Sequence, residues 1–332
     1  MDVSIGRRGA ILFPHSVCVD GHEDGCLFRF ITHIHADHIV DLDKSAIYCK
    51  HVIATPITLD ILKVMGYTIP TNKAIALNYG QSMNIDQNGW LKLSVAKADH
   101  IPGSAQVVLD TKDVCIGYTG DFRAPGIRTE ILKDLDTLVV DATYGDPSYV
   151  RENEDAIMNE FVKLLKKLLT EGPVAIYAYH GKINDVMLKL RQWGIDAPYI
   201  LSSSQWNIYC VLNRHGYGTS DVFHQGSREA EEIIRSGWYI EFALTSRYSF
   251  LRRRKGISHV LVTGRYGKTV VRLGGSWVVG LSGHADFNEL VYYVDEARPR
   301  LLIVDGYRSQ YAHIFSSYVK SSLGIEAVVK PF

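Results

Sequence analysis

The segment Thr32-His33-Ile34-His35-Ala36-Asp37-His38 limits what this chain can fold into more than any other stretch. It follows directly on Cys26 to Thr32, an apolar run that alternates with the period of two of a β-strand. His33 and His35 stand two apart, so an extended backbone projects them to one side. Asp37 and His38 then turn the chain toward a helix. Neutral imidazoles and carboxylates hold Zn²⁺ at roughly 2.0–2.2 Å. Four such side chains in so short a segment cannot all wrap one ion, but they can serve two neighbouring ions. A surface histidine cluster, or a set of helix-capping polar residues, is the competing reading.

Two later segments supply further candidate ligands. His100 precedes Ile101-Pro102-Gly103 at a strand end, and Asp121 follows the strand candidate Val114 to Tyr118 next to Gly120. Alone, each is an ordinary loop or turn residue; after the histidine-rich segment, both join it. The chain has 332 residues, 36 Lys+Arg against 36 Asp+Glu, and a formal net charge of zero. The length suggests two domains. The charge balance argues against a protein that coats nucleic acid indiscriminately, so any basic surface must be local. No apolar run reaches the length of a membrane span, and the first residues carry no secretory pattern, so a cytoplasmic location is expected. The 5 cysteines (Cys18, Cys26, Cys49, Cys115, Cys210) form no CxxC pair. They read as free intracellular thiols, none beside an obvious base.

Up to residue 150 the pattern is short strands and tight turns, including Ser16 to Asp20, Leu91 to Val95, Ala105 to Leu109 and Leu138 to Val140. Arg151 to Leu169 then reads as an amphipathic helix with the stripe Ile157, Phe161, Leu164, Leu165 and Leu168. Val174 to Tyr179 reads as a buried strand and Ile183 to Trp193 as a helix, an alternation typical of βαβ units. Strands are also expected at 260–262, 269–271, 277–279 and 301–304, with helices near 286–296 and 311–323.

The ordered set His33, His35, Asp37, His38, His100 and Asp121 resembles the metal signature of the metallo-β-lactamase superfamily. That resemblance implies a four-layer αββα sandwich with metals at one end of the sheets. Residue by residue, it implies that His33, His35 and His100 hold one metal and Asp37 and His38 the other, with Asp121 bridging. Asp20 matches a strand-end aspartate that supports the metal loops. Asp136 to Gly145 and Leu281-Ser282-Gly283-His284-Ala285-Asp286 resemble later motifs of the β-CASP nuclease branch. His180-Gly181-Lys182 resembles the turn that opens its α/β cap. The metallo-β-lactamase domain is then expected at 1–150 and 275–332, with the cap inserted at 151–274. RNA-acting members usually carry a histidine where this chain has Asp305 in Val304-Asp305-Gly306-Tyr307. Asp305 can complete the second metal site, support a ligand from behind, or simply end a strand.

The implied activity is phosphodiester hydrolysis of RNA or DNA. Two metals about 3.5–4 Å apart activate water and neutralise phosphoryl charge. The mixed imidazole and carboxylate shell favours two Zn²⁺, with Mn²⁺ as the alternative. His284 is the candidate general acid, oriented by Asp141; its competing role is to cap the helix starting near Asp286. From Phe242 to Ala285 there is no acidic residue, while Arg247, Arg252, Arg253, Arg254, Lys255, Arg265, Lys268 and Arg272 are all present. Such a stretch offers a phosphate track, and Tyr248 and Phe250 within it could stack bases, which favours single strands. A solubilising loop is the plainer reading. Ser282 and Lys182 are weaker candidates for phosphate contacts. A small-molecule hydrolase of the same fold and a non-catalytic nucleic-acid-binding subunit are the alternatives. In size the chain is similar to compact archaeal mRNA 3′-end processing factor-like proteins and to DNA-ligase-associated exonucleases, so RNA-processing or repair proteins are conceivable partners.

Overall fold

A computed structural model describes residues 3–266 and 269–331, so Lys268 of the basic stretch lies outside the described residues. The chain divides into two compact units, Met1–Val150 with Gly283–Phe332, and Arg151–Ser282.

The first unit opens with a six-stranded sheet in chain order: β1 (Ser4–Ile5), β2 (Ile11–Phe13), β3 (Val17–Val19), β4 (Phe28–Phe30), β5 (His51–Ala54) and β6 (Ala74–Ala76). The first three strands are antiparallel and β3 to β6 run parallel. Parallel neighbours need crossovers. α1 (Leu42–Tyr48) and α2 (Pro56–Val64) supply two of them. Thr55 caps α2 by accepting from the Thr58 backbone N–H, with Pro56 as the first helical residue. β3 and β4 pair in parallel through a connection too short for a helix, with Val17 opposite Phe28. The loop must therefore double back, and it brings Cys26 beside Cys18. The two are joined as a disulfide, with Cα atoms 6.0 Å apart. This corrects the expectation that every cysteine is a free thiol.

A second sheet begins with β7 (Ser82–Asn84), β8 (Lys92–Lys97), β9 (Ala105–Asp110) and β10 (Cys115–Tyr118), an antiparallel run, and continues with β11 (Thr137–Val140) parallel to β10. Its apolar residues Val95, Val107, Leu109, Tyr118 and Val139 share one core with Val17, Val19, Phe30 and Ile53 of the first sheet. Full burial of an aliphatic or aromatic side chain contributes about 1.5–3 kcal/mol, so this shared face is what holds the sheets together.

The chain then builds the second unit. α3 (Glu154–Glu171) starts at Asn153, which caps it through the Asp155 N–H. Its stripe of Ile157, Phe161, Leu164, Leu165 and Leu168 packs on Val174, Ile176 and Ala178 of β12 (Val174–Ala178). There follow α4 (Lys182–Gln192), β13 (Tyr199–Leu201), α5 (Ser203–Arg214), β14 (Val222–His224), α6 (Arg228–Ser236), β15 (Ile240–Leu244), α7 (Tyr248–Leu251), β16 (Ser258–Val262), β17 (Val270–Leu273) and β18 (Ser276–Val279). The sheet order is β14-β13-β15-β12-β16-β18-β17, parallel throughout except for β17. Every residue of the central β12 is buried, as expected for a parallel strand covered on both faces. The expected boundary after residue 274 falls in the β17–β18 turn, and the pairing of β18 with β16 draws the next residues into this unit.

On its return to the first unit, the chain forms α8 (Phe287–Ala297), β19 (Leu301–Asp305), α9 (Ala312–Tyr318) and β20 (Glu326–Lys330), with a π-helical turn over Val319–Leu323. β19 inserts parallel to β11 with Val139 opposite Ile303, and β20 adds parallel to β19. Phe287, Leu290, Tyr293, Val294 and Phe315 of the two helices cover Leu138, Val140, Leu302 and Val304. No helix among the described residues is long and apolar enough to cross a membrane.

Candidate metal centre

Parallel and antiparallel strands of the first unit end together and deliver their following residues to one place. β4 leads to His33, His35, Asp37 and His38; β8 leads to His100; β10 leads to Asp121; β11 leads to Asp141; the turn before α8 carries His284. Gly120, with φ +55°, makes the turn into Asp121, and a Cβ there would lie 3.0 Å from the Thr32 side chain. Gly283 lets the backbone approach His100, where a Cβ would meet Nδ1 at 3.0 Å.

Three histidines have one ring nitrogen committed outward. His33 Nδ1–H faces Thr32 Oγ1 at 3.0 Å, His38 Nδ1–H donates to Asp20 Oδ2 at 2.7 Å, and His100 Nδ1–H donates to Gly283 O at 2.8 Å. Each donation fixes the tautomer and leaves Nε2 as a lone-pair donor. His33 Nε2 and His100 Nε2 both point at His35 Nδ1, at 3.0 Å each. His35 Nδ1 carries at most one proton, so hydrogen bonding cannot satisfy both. Asp121 Oδ2 closes the group at 3.5 Å from His33 Nε2 and 3.4 Å from His100 Nε2. A tetrahedral ion with ligands at about 2.0–2.2 Å requires ligand-to-ligand edges of about 3.3–3.6 Å; the two edges to Asp121 match and the two to His35 are a few tenths of an ångström shorter, so the group suits one Zn²⁺ with a small outward shift of His35.

The second group shares the same carboxylate. His38 Nε2 lies 3.4 Å from Asp121 Oδ1 and 3.5 Å from Asp37 Oδ2. Asp141 gathers with His38 and Asp121. His38 Nε2 and Asp121 Oδ1 are both buried without a hydrogen-bond partner, the mark of atoms meant for a ligand. The donor sets of both groups therefore suit divalent cations, and Asp121 offers one oxygen to each.

The charges agree with this layout. Burial pushes His33 and His100 well below the ordinary histidine range and so keeps them neutral. Burial acts the same way on His38, but Asp121 and Asp20 outweigh it and raise that histidine. Burial would raise Asp121, yet His284 and His38 hold it well below the carboxylate range. Asp37 is held down to about 2, the nearby His38 imidazole overcoming burial. Asp141 goes the other way, raised well above its usual value by burial and by the facing carboxylates of Asp121 and Asp305. Such crowding of acids is relieved by cations.

His284 sits partly open beside the shared carboxylate, its Nδ1 3.6 Å from Asp121 Oδ2. It is not the helix cap: Asp286 accepts from Glu289 N at 3.0 Å while Glu289 accepts from Asp286 N, a complete capping box. Asp305 does not enter either cation group. Its Oδ2 pairs with Arg308 Nη1 at 2.8 Å, and its Oδ1 accepts from the backbone of Tyr307. The reason is local: residues three apart in the turn after β19 place a full charge within reach. Arg308 was not singled out from sequence. Its guanidinium also donates to Asp20 O at 3.0 Å and Asp37 O at 2.8 Å, so it clamps the two loops that carry His38 and its supporting aspartate. Also unanticipated is an aromatic run in the same unit, Tyr144 edge-on to His284 at 6.0 Å, then Tyr149 at 5.2 Å, then Tyr311 at 5.1 Å.

The remaining candidates lie in the second unit. Lys182 is buried and donates to Asp185 and to Ser282 O, so its charge is spent within the fold. Arg254 pairs with Glu241 at 2.8 Å, and Tyr248 packs edge-on against Tyr177. Arg247, Arg252 and Arg253 are exposed, and Phe250 is 70% exposed.

Two histidine–aspartate groups that share one carboxylate at the strand ends of an α/β unit are donor sets that could hold metal ions. No protein-family model matches the chain. It is 37% identical over 143 residues to an uncharacterized protein in the lig 3′ region of Acidianus ambivalens, an overlap of 43% of this chain and 99% of that protein. It is 28% identical over 189 residues to 5′ exonuclease Apollo of Mus musculus (53% of this chain, 34% of that protein). It is 27% identical over 177 residues to RNase aCSPSF2 of Saccharolobus solfataricus (45% of this chain, 35% of that protein). The chain thus spans about a third of these named nucleases. A protein of unknown function from Enterococcus faecalis V583 shares the fold, with a TM-score of 0.60 at 15% identity over 83% of this chain and 74% of its own. The chain belongs to the β-CASP nuclease branch of the metallo-β-lactamase superfamily.

Proposed function

We propose that this chain is a metal-dependent nuclease that hydrolyses phosphodiester bonds in single-stranded RNA or DNA, with two Zn²⁺ held by His33, His35, His100 and Asp121 on one side and by His38, Asp37, Asp141 and Asp121 on the other. The observation that carries the reading is the sharing of Asp121: one buried carboxylate with an oxygen 3.4–3.5 Å from the donor atoms of each group. Bound cations would supply Lewis acidity, a nucleophile from water at neutral pH, and compensation of phosphoryl charge. The architecture that goes with this function is the four-layer αββα sandwich bearing a β-CASP cap, supported by the shared two-sheet core and the separate parallel sheet.

The chain's own residues do the rest. Asp20, Thr32 and Gly283 fix which nitrogen of His38, His33 and His100 faces inward. His284, beside Asp121 and outside the cap of α8, donates a proton to the leaving oxygen. Tyr149 and Tyr311, half-buried beyond the buried Tyr144 that packs edge-on to His284, offer aromatic faces on which unpaired bases can stack, which favours single strands. Exposed Arg247, Arg252 and Arg253 suit phosphate contacts.

The test is digestion of end-labelled RNA and DNA, each single- and double-stranded, by chelator-stripped protein resupplied with Zn²⁺ or Mn²⁺. Metal-dependent cleavage of single strands is expected. Absence of cleavage on all four substrates with metal bound would overturn the reading.

A further inference from the structure

We propose a second metal site in the first unit: in the reduced chain, Cys18, His22, Cys26 and Cys49 hold one structural zinc ion. None of these residues belongs to the centre described above. Cys18 comes from β3, His22 and Cys26 from the β3–β4 loop, and Cys49 from the end of α1. All four are buried, at 0%, 5%, 5% and 1% exposure, which is unusual for a histidine with no solvent to reach.

The ligand atoms of three of these residues converge, and Cys49 stands against two of the three. Those of Cys18, His22 and Cys26 all lie within 4.8 Å of one another. Cys49 Sγ is 3.7 Å from Cys26 Sγ and 3.7 Å from His22 Nδ1. Zinc–sulfur bonds of about 2.3 Å and zinc–nitrogen bonds of about 2.0–2.1 Å set tetrahedral edges of about 3.8 Å between sulfurs and about 3.6 Å between sulfur and nitrogen. The two Cys49 distances match those edges. The disulfide uses only two of the four donors, and it leaves a buried thiol and a buried imidazole facing it.

The charge also closes. Three thiolates on Zn²⁺ leave one negative charge in the interior. Arg29, fully buried on β4, stands next to the cluster: its Nη1 donates to Ser45 Oγ at 2.9 Å, and Ser45 Oγ lies 3.1 Å from His22 Nδ1. A buried guanidinium needs an anion, and a Cys3His zinc site provides one. Conversion from the disulfide takes two electrons from a phosphine, and water supplies the two protons and the oxygen of the phosphine oxide, giving two thiols. Zinc then displaces the three thiol protons. The bound ion would pin the loop carrying Asp20, the residue that orients His38.

The test uses the full chain, reduced with a phosphine under nitrogen and titrated with Co²⁺. The catalytic groups contain no sulfur, so a thiolate-to-cobalt charge-transfer band reports this site alone. The expected result is a band whose intensity corresponds to one thiolate-bound cobalt per chain once the sulfur-free groups are also filled, that is abolished by excess Zn²⁺, persists in His100→Ala and is lost in Cys49→Ser. Since Cys49→Ser could misfold, alkylation of the wild-type protein gives a second reading. Zinc should protect Cys18, Cys26 and Cys49 while Cys115 and Cys210 react, and a chelator should remove that protection. No cobalt band in the reduced wild type, or equal alkylation of all five thiols with zinc present, would overturn the proposal.

Discussion

Asp20→Asn tests the logic of the second cation group at a residue that touches no metal. The Asp20 carboxylate accepts three short hydrogen bonds, from Thr32 N at 2.7 Å, Thr32 Oγ1 at 2.6 Å and His38 Nδ1 at 2.7 Å. Bonds to a charged group contribute about 1.5–3 kcal/mol against about 0.5–1.5 for neutral ones, so the Thr32 N bond at Oδ1, which survives, and the Thr32 Oγ1 bond at Oδ2, which must reverse to accept from the amide, lose about 2 kcal/mol together. The third cannot survive in its present form. An amide N–H placed at Oδ2 faces the His38 Nδ1–H, and the imidazole must move its proton to Nε2, the atom aimed at Asp121 Oδ1. A protonated Nε2 does not bind metal. The expected outcome is destabilisation of the metal-free protein by about 2–3 kcal/mol and a loss of about 10–100-fold in affinity at the second group. Urea unfolding gives the first quantity. Calorimetric titration with Mn²⁺, for which thiolates compete poorly, gives the second. Two binding events of wild-type affinity in Asp20→Asn would refute the tautomer argument.

Three further outcomes follow from the same contacts. His284→Ala should keep its metal content and lose about 10²–10⁴-fold in turnover; a wild-type rate in a single-turnover assay would remove it from the reaction. Arg308→Met strands Asp305 without its buried partner and should cost about 3–5 kcal/mol in urea, most of it recovered in Arg308→Met/Asp305→Leu; no recovery would mean that the clamps on Asp20 O and Asp37 O dominate. Asp99 is held below its ordinary value because Arg123 and Arg128 outweigh burial. Its folded-state value is depressed, so its contribution is present above pH 3.8 and is lost as pH falls through that value toward the folded one. Asp99→Asn should therefore flatten the acid limb of a stability–pH curve below about pH 4 and lower the plateau above it.

Much of the frame is legible in local pattern. The stripe of α3, the buried run of β12 and the alternation of β8 and β9 are periodic signals, because each element must present one face to a core. The histidine–aspartate segment is legible for a related reason: ligands two apart on an extended chain must share a side. The strands β13, β14 and β20 and the helices α5 and α6 are short or weakly patterned, and pairing to neighbours decides them.

The sequence by itself pointed to most of the candidate cation ligands, the family motifs and the change in character after residue 150, since these depend on residue types at close spacing. Only the tertiary structure decided that Asp305 belongs to Arg308, that Asp286 rather than His284 caps α8, that Asp141 stands with His38, and that three cysteines and a histidine share a pocket. Each of those outcomes depends on which charge or sulfur becomes buried beside which other, and burial is a property of strands brought together from distant parts of the chain.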